Sequence, residues 1–350
     1  MRRFTIGIPT YNRASFLRRA IKAAVDQSHS DVEILVSDNA STDETPEVVR
    51  SFGDRVRYCR NPENIGSWPN LVKLTQLATG DYFSWLQDDD LIHRDFVCRA
   101  VGAFESAEDV TVYIPYSVQT HSTTTFFFPS LYGPIVALDW MRGNLRVIEG
   151  IVLTPLSLFH TNGNPPAIAF RTQTVRRAVK EINPECWLYN ERIVSAVAAA
   201  EGKAAIDPWP GAIFFDHPAQ SHKDVIGQAS TRWRHWQIMA RTLCLRLEKV
   251  DPSWKTLYRN TVEETDLAAR RQWVGRYCNP IDWALWKQVH PLAAEIRSIA
   301  TDTPEPRLTN DRSLPSRVSA ATKNGLRELT PPIIWRTAAK VYGAIQSILR

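Results

Sequence analysis

Cysteine is scarce and unpatterned: the five residues Cys59, Cys98, Cys186, Cys244 and Cys278 are widely spaced and never form a CxxC pair. That excludes a disulfide framework and a cysteine-built zinc site, and leaves free buried thiols in a reducing compartment as the expectation. Glycine, at 15 residues, follows no period, which excludes a collagen-like chain. No apolar run approaches the ~18–20 residues that span a bilayer. The segment from Met1-Arg2-Arg3 enters a strand-like run at once, without a signal-peptide core, so a cytosolic location is expected. Also missing are GxGxxG after the first strand and GxxxxGK[ST], which removes the usual support for dinucleotide binding and P-loop chemistry. There is no GxSxG nucleophile elbow, no His and Cys set at zinc spacing, and no internal repeat.

What is present describes a globular chain of 350 residues, 44% hydrophobic and 23% charged, long enough for one large domain or two ordinary ones. The net charge of +5 is unevenly distributed: residues 1–220 carry 21 basic and 25 acidic side chains, whereas residues 221–350 carry 21 and 12. Seven of the twelve tryptophans lie after residue 225.

Over the first hundred residues short β-rich runs alternate with helical patterns. Strands are expected at Phe4–Ile8, Val32–Val36, Arg55–Cys59 and Tyr82–Leu86, and helices at Ala14–Val25, Glu44–Phe52 and Trp68–Ala78, with Ser41 or Thr42 available to cap the second helix. This alternation builds an α/β fold, a mostly parallel sheet covered by helices on both faces, which binds ligands beyond the carboxyl ends of its strands. Further on, strands are expected at Val110–Ile114, Thr123–Phe128, Ala167–Phe170 and Ala212–Phe215, and helices at Ala137–Arg142, Gln173–Lys180 and Tyr189–Glu201. After Gln228 the pattern turns to long helical stretches. The expected division is an α/β domain over 1–225, a helical region over 226–300, a proline-containing linker over 301–316 and a basic amphipathic tail over 317–350.

The polar clusters fall at the carboxyl ends of the strands. Asp88-Asp89-Asp90 ends an apolar strand, and three adjacent carboxylates repel unless a cation, donors or water compensate. Hard Mg²⁺ or Mn²⁺ takes oxygen ligands, often one or two carboxylates plus substrate phosphates. Alone, the triplet is equally compatible with a solvated acidic turn capping a helix that starts near His93. Pro9-Thr10-Tyr11-Asn12-Arg13 offers a hydroxyl, a ring and a cation between strand and helix, or an ordinary turn. Asp38-Asn39 with Ser41 and Asp43 can read a base edge, cap a helix, or do both.

Taken in order, these residues resemble the family 2 glycosyltransferases of the GT-A fold. The resemblance covers about the first 220 residues and rests on Ile8–Arg13, Val36–Asp43, Asn64-Ile65-Gly66, Asn70 and Gly80–Asp90. It implies inverting transfer of a sugar from a UDP, GDP or dTDP donor to a glycan or lipid-linked acceptor, with Mn²⁺ or Mg²⁺. By that resemblance Pro9, Thr10 and Tyr11 line the nucleobase, with Asn12, Arg13, Asn39, Asn64 and Gly66 also at the donor. Asp38 contacts the base, Asp88 and Asp89 hold ribose and metal, and Asp90 is the metal-ligating acid. Gln87 stands where many relatives carry another acid. The segment with Gly163 and Asn164 resembles the acceptor lining, and Trp187 is placed on the same side. Asn190-Glu191 takes the place of the family's Glu-Asp pair, which makes Glu191 the implied catalytic base; it is otherwise a surface acid in the first turn of a helix. His217, with His222 behind it, resembles the histidine that closes the donor site as a metal or phosphate ligand.

Pro331–Arg350 places Ile334, Ala338, Val341, Ile345 and Ile348 on one stripe with no acid present. Such a helix suits an anionic membrane surface on the cytoplasmic face and equally suits packing in a helical bundle. No nucleic-acid motif is present, and no nucleic-acid partner is expected. Two other functions use the same features: a catalytically inactive nucleotide-sugar-binding scaffold, favoured by the neutral Asn190, and a sugar nucleotidyltransferase, disfavoured by the absence of a glycine-rich basic loop after the first strand.

Overall fold

A computed structural model describes residues 2–121, 124–129, 145–154, 168–216 and 229–248. Among them the first strand, β1 (Phe4–Thr10), is buried throughout, as is nearly all of β2 (Val32–Asp38). Both are two residues longer than their apolar runs indicated, so Thr10 and Asp38 finish their strands and pair in register. Between them α1 (Ala14–Val25) buries Leu17, Ala20, Ile21 and Ala24, one face of a 3.6-residue period, and leaves Arg18 and Arg19 in solvent. There follow α2 (Thr45–Arg50), β3 (Arg57–Arg60), α3 (Ser67–Leu77) and β4 (Tyr82–Trp85). Strands β3, β2, β1 and β4 are adjacent and parallel, as the alternation of strand and helix requires.

Beyond β4 the chain departs from simple alternation. It forms a short β5 (Leu91–Ile92), α4 (Phe96–Ser106), β6 (Val110–His121), β7 (Thr124–Pro129), β8 (Arg146–Glu149) and β9 (Ala169–Arg171). Then come α5 (Thr172–Ala178), α6 (Asn190–Ala199), β10 (Lys203–Asp216) and α7 (Ala229–Glu248). Strand β9 lies antiparallel between β4 and β6, and β6 runs parallel to β10, giving the order β3-β2-β1-β4-β9-β6-β10-β5. The sheet is therefore mostly parallel with an antiparallel insert. Strand β10 is much longer than the Ala212–Phe215 run because register shifts at Asp207–Pro210 and Pro210–Ala212 let two prolines and Gly211 sit inside it. Buried Asp207 holds this bulge: Arg99 donates to both its oxygens at 2.8 and 3.0 Å, and Tyr113 donates at 2.7 Å.

Two apolar layers sandwich the sheet. One joins β1 and β2 to α1 and α4; the other gathers α3, α5, α6 and α7, with Trp236, Met239, Ala240, Leu243 and Cys244 of α7 packed into the same cluster as Ile193 and Val197 of α6. Helix α7, the first piece of the basic half, is thus built into the α/β core rather than standing apart from it. Of the cysteines, Cys186 and Cys244 are buried free thiols as expected, but Cys59 is half-buried and Cys98 is exposed on α4. No helix among the described residues is long and apolar enough to cross a membrane. The expected helix at Ala137–Arg142, the linker 301–316, the tail 317–350 and the boundary at 225 lie outside the described residues.

Candidate functional site

The carboxyl ends of β1, β2 and β4 bring the first three polar clusters together. Thr10, the last residue of β1, donates its hydroxyl to Asp88 Oδ2 at 2.8 Å. Arg13, just before α1, donates to Asp88 Oδ1 at 3.1 Å and to Asp89 Oδ2 at 2.6 Å. Asp88, Asp89 and Asp90 are 5%, 8% and 1% exposed, so the triplet is not a solvated turn. Nor does it cap the next helix: α4 starts at Phe96 with Asp95 before it.

One guanidinium faces three nearly buried carboxylates, and the electrostatics follow. Burial is the largest cause that pushes Asp88 up to about 7; Arg13 opposes it and Asp89 adds to it. Burial also drives Asp90 well above the usual carboxylate range, with Asp89 adding to the rise. Asp90 Oδ1 accepts the backbone N–H of Phe215, near the end of β10, at 2.9 Å. Its other oxygen, Oδ2, is buried and has no hydrogen-bond donor among the described residues. A buried anionic oxygen without a donor is costly and suits a cation.

The second cluster supports the first from below. Asp38 is fully buried; its Oδ1 accepts the Ser41 N–H at 2.9 Å and its Oδ2 accepts the Tyr58 hydroxyl at 2.5 Å, with Arg60 at 3.9 Å. Asp38 thus holds the turn that follows β2 and ties it to β3. Asn39 is likewise engaged: its Nδ2 donates to Asn64 Oδ1 at 2.6 Å and to the Gly66 carbonyl at 3.2 Å, and its Oδ1 accepts from Asn61 and from the Ile65 N–H. Asn70 continues the network to Ser37 and Asn61, and Lys73 donates to Asn61 at 2.5 Å. Gly66 enters α3 at φ 91°, a conformation that favours glycine.

Neither Ser41 nor Thr42 caps α2. The Ser41 hydroxyl accepts the Asn12 N–H at 2.9 Å, and the Thr42 N–H donates to Asn12 Oδ1 at 2.7 Å. Asp43 does the capping, and at two places: it accepts the Ala14 N–H that opens α1 at 2.9 Å and the Thr45 N–H of α2 at 3.1 Å. These cross-links hold Asn12 at φ 53° and Ala40 at φ 66°, leaving Tyr11 44% exposed at the rim. Backbone in this region costs an L-residue about 1–2 kcal/mol. Ala40→Gly, which relieves it at the expense of a freer unfolded chain, is expected to raise unfolding stability by up to about 1 kcal/mol in a urea titration.

Glu191 approaches from the other half of the sheet. Strand β10 runs parallel to β6 and ends beside Asp90, while α6 finishes at Ala199, where its carbonyl bonds Gly202 just before β10 begins. The ten-residue helix spans about 15 Å, so its first turn, with Asn190 and Glu191, lies toward the carboxyl edge that holds the Asp triplet. Glu191 is half-buried, and burial raises its carboxyl above the usual range. Among the described residues no side chain donates to it. Asn190 beside it is fully buried, and neither of its amide atoms has a hydrogen-bond partner among the described residues. Trp187, 41% exposed, precedes this turn. Gly163, Asn164, His217 and His222 lie outside the described residues.

Sequence reasoning missed Tyr58, Asn61 and the Phe215 N–H. Asn61 follows the carboxyl end of β3, the position that drew attention at the other strands, and Tyr58 lies within that strand. A backbone N–H donated across 125 positions leaves no signal in the residue types.

The Glycosyl transferase family 2 model matches residues 5–146. A Campylobacter jejuni protein named GalNAc(5)-diNAcBac-PP-undecaprenol beta-1,3-glucosyltransferase is 38% identical over 95 residues, covering 26% of this chain and 30% of that one. This chain spans between 28% and 39% of the length of the first four curated relatives it matches. Among solved structures, Staphylococcus aureus TarS 1-349 in complex with UDP-GlcNAc superposes with a TM-score of 0.57 at 13% identity, covering 86% of this chain and 88% of that one. Mannosyltransferase PcManGT from Pyrobaculum calidifontis, in complex with GDP-Man and Mn2+, gives 0.50 at 16% identity over 99% and 87%. The fold is thus the GT-A type, and residues 5–146 are similar to glycosyl transferase family 2.

Proposed function

We propose that the protein transfers a sugar from a nucleoside-diphosphate donor to a hydroxyl of a glycan or lipid-linked acceptor, with inversion at the anomeric carbon. The observation that carries this reading is the buried Asp88–Asp90 triplet at the carboxyl end of β4, held by Thr10 and Arg13 inside the family match.

A divalent cation, Mn²⁺ or Mg²⁺, fits the residues present. Asp90 Oδ2 is a buried oxygen with no donor, and hard cations take oxygen ligands. Among the described residues no three acidic, His or Cys side chains form a closed cage. That suits a cation whose remaining ligands are phosphate oxygens and water. The Mn²⁺ in the mannosyltransferase complex supports the same choice. Asp90 would hold the cation with Asp88 or Asp89, and His217 is the proposed further ligand. When bound, such a cation offsets charge on the departing diphosphate.

The chain's own groups do the rest. Arg13 keeps Asp88 and Asp89 in place and adds positive charge where the phosphates arrive. Tyr11 offers an exposed ring for the base, and the fixed Asn12–Thr42 and Asn39–Asn64 bonds shape the floor beneath it. Glu191, whose carboxyl burial raises above the usual range and which has no competing donor among the described side chains, takes the proton of the attacking hydroxyl. Gly163, Asn164 and Trp187 are proposed on the acceptor side. The name of the Campylobacter relative supports a lipid-linked acceptor. Contact of residues 331–350 with the cytoplasmic membrane face would then bring the enzyme to that substrate.

The test is donor consumption by the purified protein across UDP-, GDP- and dTDP-sugars, with Mn²⁺ and with a chelator. At least one donor should be consumed with Mn²⁺ and spared with chelator; no consumption of any donor would leave the scaffold reading in its place.

A further inference from the structure

Three side-chain amides and one lysine tie the turn that carries Asn64 and Gly66 to the end of β2, and their hydrogen bonds all run in one direction. Asn39, Asn61 and Asn70 are buried, so each amide depends on the protein for its partners. Asn39 lies between two backbone groups that cannot exchange roles: its Oδ1 accepts the Ile65 N–H at 3.0 Å and its Nδ2 donates to the Gly66 carbonyl at 3.2 Å. Asn70 is fixed in the same way, because its Nδ2 donates to the Ser37 carbonyl at 2.9 Å. Both therefore turn an acceptor oxygen toward Asn61, whose Nδ2 donates to Asn39 Oδ1 at 2.9 Å and to Asn70 Oδ1 at 3.1 Å.

That arrangement leaves Asn61 Oδ1 in need of a donor. Lys73, three residues after Asn70 on α3, supplies it at 2.5 Å. An ammonium donates and never accepts. A flipped Asn61 would set its nitrogen against that ammonium and its oxygen against the oxygens of Asn39 and Asn70, so donor and acceptor would mismatch at both ends. Lys73 is half-buried and forms no ion pair with an acid among the described residues. Its charge is directed at one amide, and through that amide at the whole chain of bonds.

We propose that Lys73 is a positioning residue for the donor site: as the donor end of the chain Lys73–Asn61–Asn39 it holds the 64–66 turn against the end of β2, and so sets the floor on which the nucleobase rests. This rests on the nucleotide-sugar reading above, in which that turn borders the donor. Lys73 acts through Asn61 and Asn39.

The experiment combines residue-resolved amide hydrogen exchange by NMR with calorimetric titration of UDP, GDP and dTDP in Mn²⁺, on the full chain and on Lys73→Met and Lys73→Arg. Methionine keeps the apolar stem without a donor, and arginine keeps a head that only donates. The amides to watch are those of Ile65 and Gly66, whose acceptors are Asn39 Oδ1 and Asn64 Oδ1. In Lys73→Met they should exchange at least tenfold faster while the amides of β1 and β4 keep their rates, and the nucleotide that the wild-type chain binds should bind at least fivefold more weakly. Lys73→Arg should stay close to wild type in both measurements. Unchanged exchange at Ile65 and Gly66 in Lys73→Met overturns the proposal, as does a rise spread equally over β1 and β4, equal nucleotide affinity, or an arginine variant no better than the methionine one. Local loosening of the turn in Lys73→Met, in a chain that binds none of the three nucleotides, would keep the hydrogen-bond chain and remove the donor reading instead.

Discussion

Asp90→Asn is expected to abolish most sugar transfer while making the metal-free protein more stable. The asparagine keeps a carbonyl oxygen for the Phe215 N–H, so the link between β4 and β10 survives. What disappears is the negative charge on Oδ2, the oxygen that is buried without a donor. Removing a preorganised electrostatic group from a reacting centre typically costs about 10²–10³ in turnover, and a comparable loss is expected here in a coupled assay for released nucleotide. The stability gain comes from no longer burying that charge beside Asp88 and Asp89.

The same charges give a pH dependence with a definite sign. Asp88 is raised from 3.8 to about 7 in the folded protein, and Asp90 is raised as well. The folded state therefore binds more protons than the unfolded state between these values, and the metal-free protein should lose stability as pH rises from about 4 to 7. Mn²⁺ should oppose that loss, since it binds the ionised carboxylates of the folded state only. Asp90→Asn should show a shallower decline and little response to Mn²⁺. Melting temperatures at several pH values, with and without Mn²⁺, measure all of these together.

Glu191→Gln should lower turnover by about 10²–10⁴, the usual contribution of a positioned base, with donor affinity unchanged. The residue sits on the first turn of α6, a different element from those that carry Thr10, Arg13 and the triplet, and glutamine fills the same space without accepting a proton. Burial raises the Glu191 carboxyl, so wild-type turnover should fall with acidification at a pH above the ordinary carboxylate range. That limb should vanish in the variant. Equal turnover in Glu191→Gln would move the base elsewhere.

How much of this was legible in the sequence depended on whether a feature was local. The period of α1 and the runs of β1, β2 and β4 gave the parallel half of the sheet, because each element states its burial in its own residues. The placing of Asp88–Asp90 beside Thr10 and Arg13 followed from the rule that parallel strands end on one edge. A strand at β9 was expected, but its antiparallel place between β4 and β6 was not legible, and the first half of β10 was missed because two prolines argue against a strand. The partners of Asp38 were not legible either, since Tyr58, twenty positions on, and the Ser41 N–H leave no mark at the strand end. Glu191 could be named from its neighbours in sequence, but its approach to the site depends on α6 running back toward β10.

The most direct test of the central claim is calorimetric titration of the wild-type chain and Asp90→Asn with UDP, GDP and dTDP, each with Mn²⁺ and with chelator. Wild-type protein should bind one of these nucleotides with Mn²⁺ and bind it at least tenfold more weakly with chelator, and Asp90→Asn should show the weak binding in both conditions. Binding that ignores Mn²⁺, or that survives unchanged in Asp90→Asn, would contradict a metal-assisted nucleotide-sugar site at the Asp triplet.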